Sequence, residues 1–241
     1  MASRKEQKEQ LRREREEREA SARAARRRKQ LMGYAAGAAV VILALAATGF
    51  LLTRGDDEEE GGGATDTPAD VLPDGGEAPE QQVSDLEEAV QAAGCELESF
   101  KADSRDHLTD INETVKYGSD PPTSGKHFEA AAEDGAYEQT PDLKTLVHTL
   151  EHGRIIIWFK PTLPEQQRAN LKALFDEDEY QMVLAPDDTM PYQVAASAWS
   201  RDPTPLGTGR LLGCKTYGDK IFDAIRTFKD EHRSNSPEPI P

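Results

Sequence analysis

The longest apolar stretch of the chain runs from Leu31 to Leu52, 22 positions without a charged side chain. An α-helix of that length spans about 33 Å, which is one crossing of a lipid bilayer. The four residues 26–29 in front of it are basic, and the five residues 56–60 behind it are acidic. The positive-inside rule therefore predicts a single-pass protein of the cytoplasmic membrane, with a cytoplasmic N-terminus and an extracytoplasmic C-terminal part.

A cleaved signal peptide is the alternative to a retained transmembrane helix, because Ala44-Leu45-Ala46 has the form of a cleavage site. The polar leader of 30 residues is longer and more mixed in charge than that of a signal peptide, which favours the anchor. Gly33 and Gly37 form a G-x-x-x-G pattern, which favours a homodimer of anchor helices. The alternative is a chance spacing of small residues in an Ala-rich helix.

The segments on either side of the apolar stretch have no apolar core of their own. Residues 1–30 contain 12 Lys+Arg and 6 Asp+Glu in alternation, which predicts a charged helical tail in the cytoplasm. Residues 53–83 are rich in Gly, Pro, Asp and Glu, which predicts a disordered acidic linker. An extracytoplasmic domain is then expected over residues 84–236, with a short tail over 237–241.

Hydrophobic periodicity predicts the elements of that domain. Ser84 and Glu87 form a capping box for a helix over 85–93 that ends at Gly94. A second helix is indicated by apolar residues at helical spacing, namely Leu143, Leu146, Val147 and Leu150. The continuous apolar run 155–159 predicts a central strand. After it we expect a helix that begins at Pro164, strands over 182–185 and 194–199, and a final amphipathic helix over 221–228.

This order of elements predicts an α+β domain in which helices cover a small mixed sheet. The order also resembles the second half of a thioredoxin-like fold, with Met190-Pro191 at the position where that fold keeps a cis-proline. No C-x-x-C motif is present, so the thiol chemistry of such folds is not supported.

Net charge and cysteine content restrict the partners and the compartment. The chain has 29 Lys+Arg and 45 Asp+Glu, a formal net charge of −16, which argues against binding to nucleic acid. The lipid bilayer, contacted through residues 31–52, is the partner that the sequence indicates. Cys95 and Cys214 are the only cysteines, and both lie on the predicted oxidising side, so we expect them to form a disulfide bond.

Histidines supply the candidate chemistry. His148 and His152 are four residues apart on one face of the second predicted helix and point away from its apolar stripe, a spacing that allows two imidazoles to share a metal ion. His127 ends the rigid turn 121–127, and Glu151 lies between the helical pair. The alternative for the pair is an ordinary solvated helix face.

We therefore predict a transition-metal site formed by His127, His148 and His152, with Glu151, Met190, Tyr137 or water as the fourth ligand. Copper would favour Met190, whereas zinc would favour Glu151 or water. His107 is a weaker candidate ligand, and His232 is expected to be solvated.

Two other functions remain open at this point. The string His148-Thr149-Leu150-Glu151-His152 has the H-x-x-E-H form of a metalloprotease motif, so a metal-dependent hydrolase with Glu151 as base is one alternative. Gly153 ends the helix directly after the motif, which argues against that hypothesis. A non-catalytic scaffold of the cell envelope, in which the histidines only fix loops, is the other alternative.

The motifs that carry these histidines resemble a known bacterial family, the domain of unknown function 3105. The resemblance rests on PPTSG-x-H at 121–127, Gly135-Ala136-Tyr137, H-x-LEHG at 148–153 and Ala198-Trp199 before the second cysteine. It covers roughly residues 95–238 and implies an N-terminal membrane anchor. The family has no agreed activity, so the resemblance supports the domain boundary and the choice of His127, His148, Glu151 and His152 without naming a reaction.

Overall fold

The computed structural model describes residues 71–240. The predicted cytoplasmic tail, the anchor Leu31–Leu52 with Gly33 and Gly37, and the linker up to residue 70 lie outside the described residues. Within residues 71–240 no helix is both long enough and apolar enough to cross a membrane.

Four helices and eight strands make up the described part of the chain, and together they confirm a mixed α+β fold. The helices are α1 (Leu86–Ala93), α2 (Leu143–Glu151), α3 (Glu165–Glu177) and α4 (Ile221–His232). The strands are β1 (Glu96–Lys101), β2 (His107–Leu108), β3 (His127–Phe128), β4 (Gly135–Ala136), β5 (Ile155–Phe159), β6 (Met182–Pro186), β7 (Val194–Ser200) and β8 (Thr208–Cys214).

Six of the strands form one mixed sheet in the order β1-β8-β7-β5-β6-β4. The central strand β5 is parallel to β6 and antiparallel to β7, and β4 adds a short parallel edge beside β6. β2 and β3 form a separate two-stranded parallel ladder. The site described below depends on this small ladder and on the C-terminal end of α2.

Side chains alternate between the two faces of the large sheet along each strand, and helices pack against both faces. Ile155, Ile157 and Phe159 belong to a core cluster shared with α1, α3 and α4. Ile156 and Trp158 belong to a second cluster shared with α2. All five side chains of β5 are at most 1% exposed, which confirms the predicted central strand covered on both sides.

The disulfide bond predicted between Cys95 and Cys214 is present. It joins the residue before β1 to the last residue of β8, and these two strands are antiparallel neighbours in the sheet. The bond therefore reinforces a pairing that the backbone already makes.

The expected cis-proline after Met190 is not found. In the described part of the chain, cis peptide bonds precede Pro121, Pro203 and Pro205, and the Met190–Pro191 bond is not among them. The turn before β7 is held by Asp187 instead, since its Oδ1 accepts the backbone N–H groups of Thr189 and Met190.

Both ends of the domain extend beyond the predicted boundaries 84 and 236. In the N-terminal extension, Leu72 is only 8% exposed and joins the first core cluster, and the backbone N–H groups of Gln82 and Val83 donate to Asp223 Oδ2. At the other end, the N–H groups of Glu238 and Ile240 donate to the carbonyls of the last helical turn and cap of α2. These carbonyls have no partner inside a helix, so the C-terminal segment completes the end of α2.

Candidate metal centre

Two local structures bring the candidate ligands together. The ladder β2–β3 pairs His107 directly with His127, and β3 packs against α2, whose last turn carries His148 and Glu151. Each of these four side chains offers one ligand atom, and the four atoms lie within 4.8 Å of one another.

The separations between these atoms suit the edges of one coordination shell. The Nε2 atoms of His107 and His127 are 3.2 Å apart, and His127 Nε2 lies 3.0 Å from Glu151 Oε2. The third edge, from His107 Nε2 to Glu151 Oε2, is 3.7 Å. Four ligands at about 2.0–2.2 Å from a tetrahedral ion lie roughly 3.3–3.6 Å apart, so these three separations are within a few tenths of an ångström of that geometry. The fourth ligand atom, on His148, lies within 4.8 Å of the other three.

Backbone carbonyls fix the orientation of the two most buried imidazoles. His127 Nδ1 donates to Gly125 O at 2.8 Å, and His148 Nδ1 donates to Phe128 O at 2.7 Å. Because a carbonyl only accepts, each Nδ1 carries the proton and each neutral ring keeps an Nε2 lone pair directed into the cluster. Histidine metal ligands are commonly held in this way by their second ring nitrogen.

One acceptor in the cluster lacks a donor. Glu151 is fully buried, and its Oε2 has no hydrogen-bond partner in the described part of the chain. His127 Nε2 approaches it to 3.0 Å without the alignment of a hydrogen bond. A buried carboxylate oxygen that faces imidazole lone pairs is costly unless a cation lies among them.

Protonation favours the ligand forms of Glu151 and His148. Burial alone would raise the pKa of Glu151, but its contacts with His127 and Arg105 outweigh burial and lower the pKa to about 2. Burial, reinforced by the neighbouring imidazoles, lowers the pKa of His148 to about 4. At neutral pH the carboxylate is therefore charged and the imidazole is neutral, as metal binding requires.

Access to the cluster is from one side. The side chains of His127 and Glu151 are both 0% exposed, whereas that of His107 is 41% exposed. Arg105 covers a neighbouring part of the rim, since its Nε donates to Glu151 Oε1 at 2.5 Å and its Nη2 to Glu238 Oε2 at 3.2 Å. An ion held here would meet solvent beside His107.

The structure groups three of the five predicted ligands. His127, His148 and Glu151 belong to the four-residue group, and His152 does not, although its Nε2 lies 3.0 Å from His148 Nε2. Its place at the C-cap of α2 explains this, because the chain leaves the helix there and Gly153 follows with φ +89°.

Met190, the fifth predicted ligand, is not brought to the imidazoles. It is 1% exposed and packs in the second core cluster with Trp158 and Tyr192. α2 leads directly into the start of β5, while β6 runs parallel to β5 and ends beside Phe159, so the loop that carries Met190 lies at the other end of β5. Tyr137 is also engaged elsewhere, because its hydroxyl donates to Glu133 O.

His107 was only a weaker candidate from the sequence, yet it completes the group. It lies in a strand of two residues, too short to produce a periodic pattern. The register that sets His107 opposite His127 comes from the tertiary fold, and the presence of a fourth histidine nearby in sequence was the one available signal.

The fifth histidine, His232, is buried rather than solvated, which corrects the expectation from the sequence. It ends α4 at 8% exposure, with its ring 4.6 Å from that of Phe228. Burial, and to a smaller extent the charge of Arg210, lowers the pKa of His232 to about 4. The folded protein therefore holds this imidazole neutral at pH values where an unfolded chain would protonate it.

We expect His232 to make the fold sensitive to acid. A histidine pKa that is lower in the folded state stabilises the fold above the unfolded pKa of about 6.5, and this stability is lost as the pH falls towards 4. Between pH 7 and pH 5 the part of this loss that is due to His232 should be about 2 kcal/mol. Urea unfolding at both pH values, followed by tryptophan fluorescence, would measure it, and His232→Gln should show a correspondingly smaller loss. Equal losses in both proteins would contradict this assignment.

Comparison with known proteins gives one match. No curated protein and no solved structure matches the chain. The profile of a family described as "Protein of unknown function (DUF3105)" matches residues 108–240, which include His127, His148 and Glu151 but begin one residue after His107. Since this match covers more than half of the sequence, the chain belongs to the DUF3105 family.

Proposed function

We propose that the domain binds one transition-metal ion through His107, His127, His148 and Glu151. The observation that carries this proposal is the convergence of four ligand atoms within 4.8 Å, around a buried carboxylate oxygen that has no hydrogen-bond partner in residues 71–240. Three imidazoles and one carboxylate form a ligand set that zinc and related divalent ions accept.

The ligand set favours zinc, with copper(II) as the second choice. Imidazole nitrogen suits both ions, and the separations among His107, His127 and Glu151 are close to the edges of a tetrahedral shell, which favours zinc, since copper(II) prefers a tetragonal arrangement. Copper(I) would favour sulfur ligands, but both cysteines are in the disulfide and Met190 lies at the other end of β5. The preference for zinc therefore follows from chemistry and geometry together.

Hydrolysis with Glu151 as base is not favoured. A base that activates a metal-bound water needs a free carboxylate oxygen directed at that water. Glu151 Oε1 accepts from Arg105, and Oε2 lies among the imidazole nitrogens on a fully buried side chain. A pKa of about 2 also makes this carboxylate a weak base. Metal binding is therefore our first hypothesis and a cell-envelope scaffold the remaining alternative.

We further propose that this domain is held outside the cytoplasmic membrane by the helix Leu31–Leu52, with a cytoplasmic N-terminus, and that Gly33 and Gly37 allow anchor helices to pair. The apolar length and the charges on either side of it support this placement. The Cys95–Cys214 disulfide agrees with it, because such bonds persist in oxidising compartments. The acidic net charge argues against a nucleic-acid partner.

Elemental analysis of the full chain tests the metal proposal. The protein would be purified in a non-ionic detergent without a nickel column, stripped with a chelator, reconstituted with zinc sulfate and passed through a desalting column. We expect about one zinc ion per chain, since the four ligands define a single site. Less than roughly a tenth of an ion per chain would overturn the proposal and favour the scaffold.

A further inference from the structure

The segment 236–240 lies across the end of α2 that carries the metal ligands. The backbone N–H group of Glu238 donates to the carbonyl of Glu151, and that of Ile240 donates to the carbonyl of His152. The last turn of α2 therefore offers a ligand side chain to the metal centre and, through its backbone, binds this segment.

Polar contacts rather than apolar burial hold the segment in place. The side chains of Glu238, Pro239 and Ile240 are exposed, so their packing contributes little hydrophobic stabilisation. The carbonyl of Ile240 accepts hydrogen bonds from Arg154 Nη1 and Gln181 Nε2. A surface segment that is held by a few hydrogen bonds opens locally at a small cost in free energy. Its docking can therefore respond to a change of charge nearby.

Arg105 links this segment to the metal centre. Its Nε donates to Glu151 Oε1 at 2.5 Å, and its Nη2 donates to Glu238 Oε2 at 3.2 Å. One guanidinium group thus joins a fully buried ligand carboxylate to a carboxylate of the segment that is 51% exposed. Because Arg105 occupies Oε1 of Glu151, Oε2 is the oxygen that is left for a metal ion.

Charge balance gives the direction of the coupling. Without a metal ion, the ionised groups of Glu151, Arg105 and Glu238 carry one negative charge in total. A divalent ion beside Glu151 changes this total to one positive charge, whereas without Glu238 the total would rise to two positive charges. Uncompensated charge is costly beside a buried site, so the carboxylate of Glu238 favours the metal-bound state.

We propose that docking of segment 236–240 is coupled to metal occupancy through Glu238 and Arg105, so that a bound ion holds the segment on α2 and loss of the ion releases it. The inference rests on the metal site proposed above. Coupling between two binding events is reciprocal, so the ion favours docking by the same factor by which the docked segment favours the ion. The segment is then a metal-dependent latch on the end of α2.

Glu238→Gln tests the role of the charge, because it keeps the size of the side chain. We expect the zinc affinity of the full chain in non-ionic detergent, measured by competition with a chromophoric chelator, to fall about fivefold at low salt. In 1 M sodium nitrate the difference from the wild type should fall below about twofold, because salt screens charges near the surface. Glu87→Gln, which removes one negative charge from α1 on the other face of the large sheet, is the matched control and should bind zinc as the wild type does.

Hydrogen exchange of the same full-length proteins measures docking directly. Residues 237, 239 and 241 are prolines, so the amides of residues 237–241 are those of Glu238 and Ile240 alone. Both amides donate to carbonyls at the end of α2. We expect zinc to slow their exchange about fivefold in the wild type, the factor that reciprocity requires, and less than about twofold in Glu238→Gln.

The zinc content of each sample separates the outcomes. Unchanged exchange in the zinc-loaded wild type, or equal slowing in the wild type and Glu238→Gln, would overturn the latch and leave metal binding intact. Equal zinc affinities of these two proteins at low salt would overturn it as well. A wild type that binds no zinc would overturn the latch and the metal site together.

Discussion

His127→Ala is expected to remove metal from the protein, with an affinity for zinc at least about 100-fold lower than that of the wild type. This imidazole is fully buried, its Nδ1 is fixed by Gly125 O, and its Nε2 lies close to both His107 Nε2 and Glu151 Oε2. The substitution would therefore remove the ligand that lies next to two of the other three. Competition for zinc with a chromophoric chelator would measure the change.

His152→Ala is the matched control for this variant. Its ring is in contact with His148, but it stands outside the four-residue group, so zinc affinity should change by about tenfold at most, the low end of the range for residues around a ligand set. His107→Ala is a second test in case His127→Ala fails to fold. The His107 side chain is partly exposed, so this substitution should weaken zinc binding without disturbing the core. Wild-type affinity in both His127→Ala and His107→Ala would refute the proposed site.

Removal of the disulfide is expected to lower the free energy of unfolding by about 4–5 kcal/mol. The two cysteines are 119 residues apart, so the bond closes a loop that includes most of the domain, and its main effect in the chain-entropy model is to restrict the unfolded chain. The double variant Cys95→Ala/Cys214→Ala should retain the fold, because β1 and β8 keep their backbone pairing.

Guanidinium unfolding of the metal-stripped proteins would measure this difference. Trp158 and Trp199 are buried in the same core cluster, so their fluorescence reports the loss of tertiary packing. Cys95→Ala alone leaves a free thiol and should be destabilised to a similar extent. A loss below about 1 kcal/mol in the double variant would contradict the prediction and show that the unfolded chain is already restricted in another way.

Elements with strong local patterns were predictable from the sequence. The helical spacing of Leu146, Val147 and Leu150 predicted α2, and the five apolar residues 155–159 predicted β5. β1 was missed because it is an edge strand whose charged Glu96 and Glu98 give no apolar alternation. β8 was missed because it contains Gly209 and Gly213. Glycine weakens a strand by local propensity, but a Cβ at Gly213 would lie 2.3 Å from the ring of Tyr192. Packing against Tyr192 therefore explains the glycine at this position.

The sequence by itself determined which chemical groups the site can use. A histidine in a proline-rich turn and a His–Glu pair on one helical end are local features, and they identified His127, His148 and Glu151 as candidates. Charge and hydropathy likewise determined the expected membrane anchor, since these properties depend on composition along a short stretch.

Only the tertiary structure decided which candidates meet. His107 joined the group through its register opposite His127, Met190 was placed at the far end of β5, and His232 was buried. Each outcome depends on contacts between residues distant in sequence. Local periodicity shows which face of an element a side chain lies on, but the partner across that face is set by packing of the whole chain.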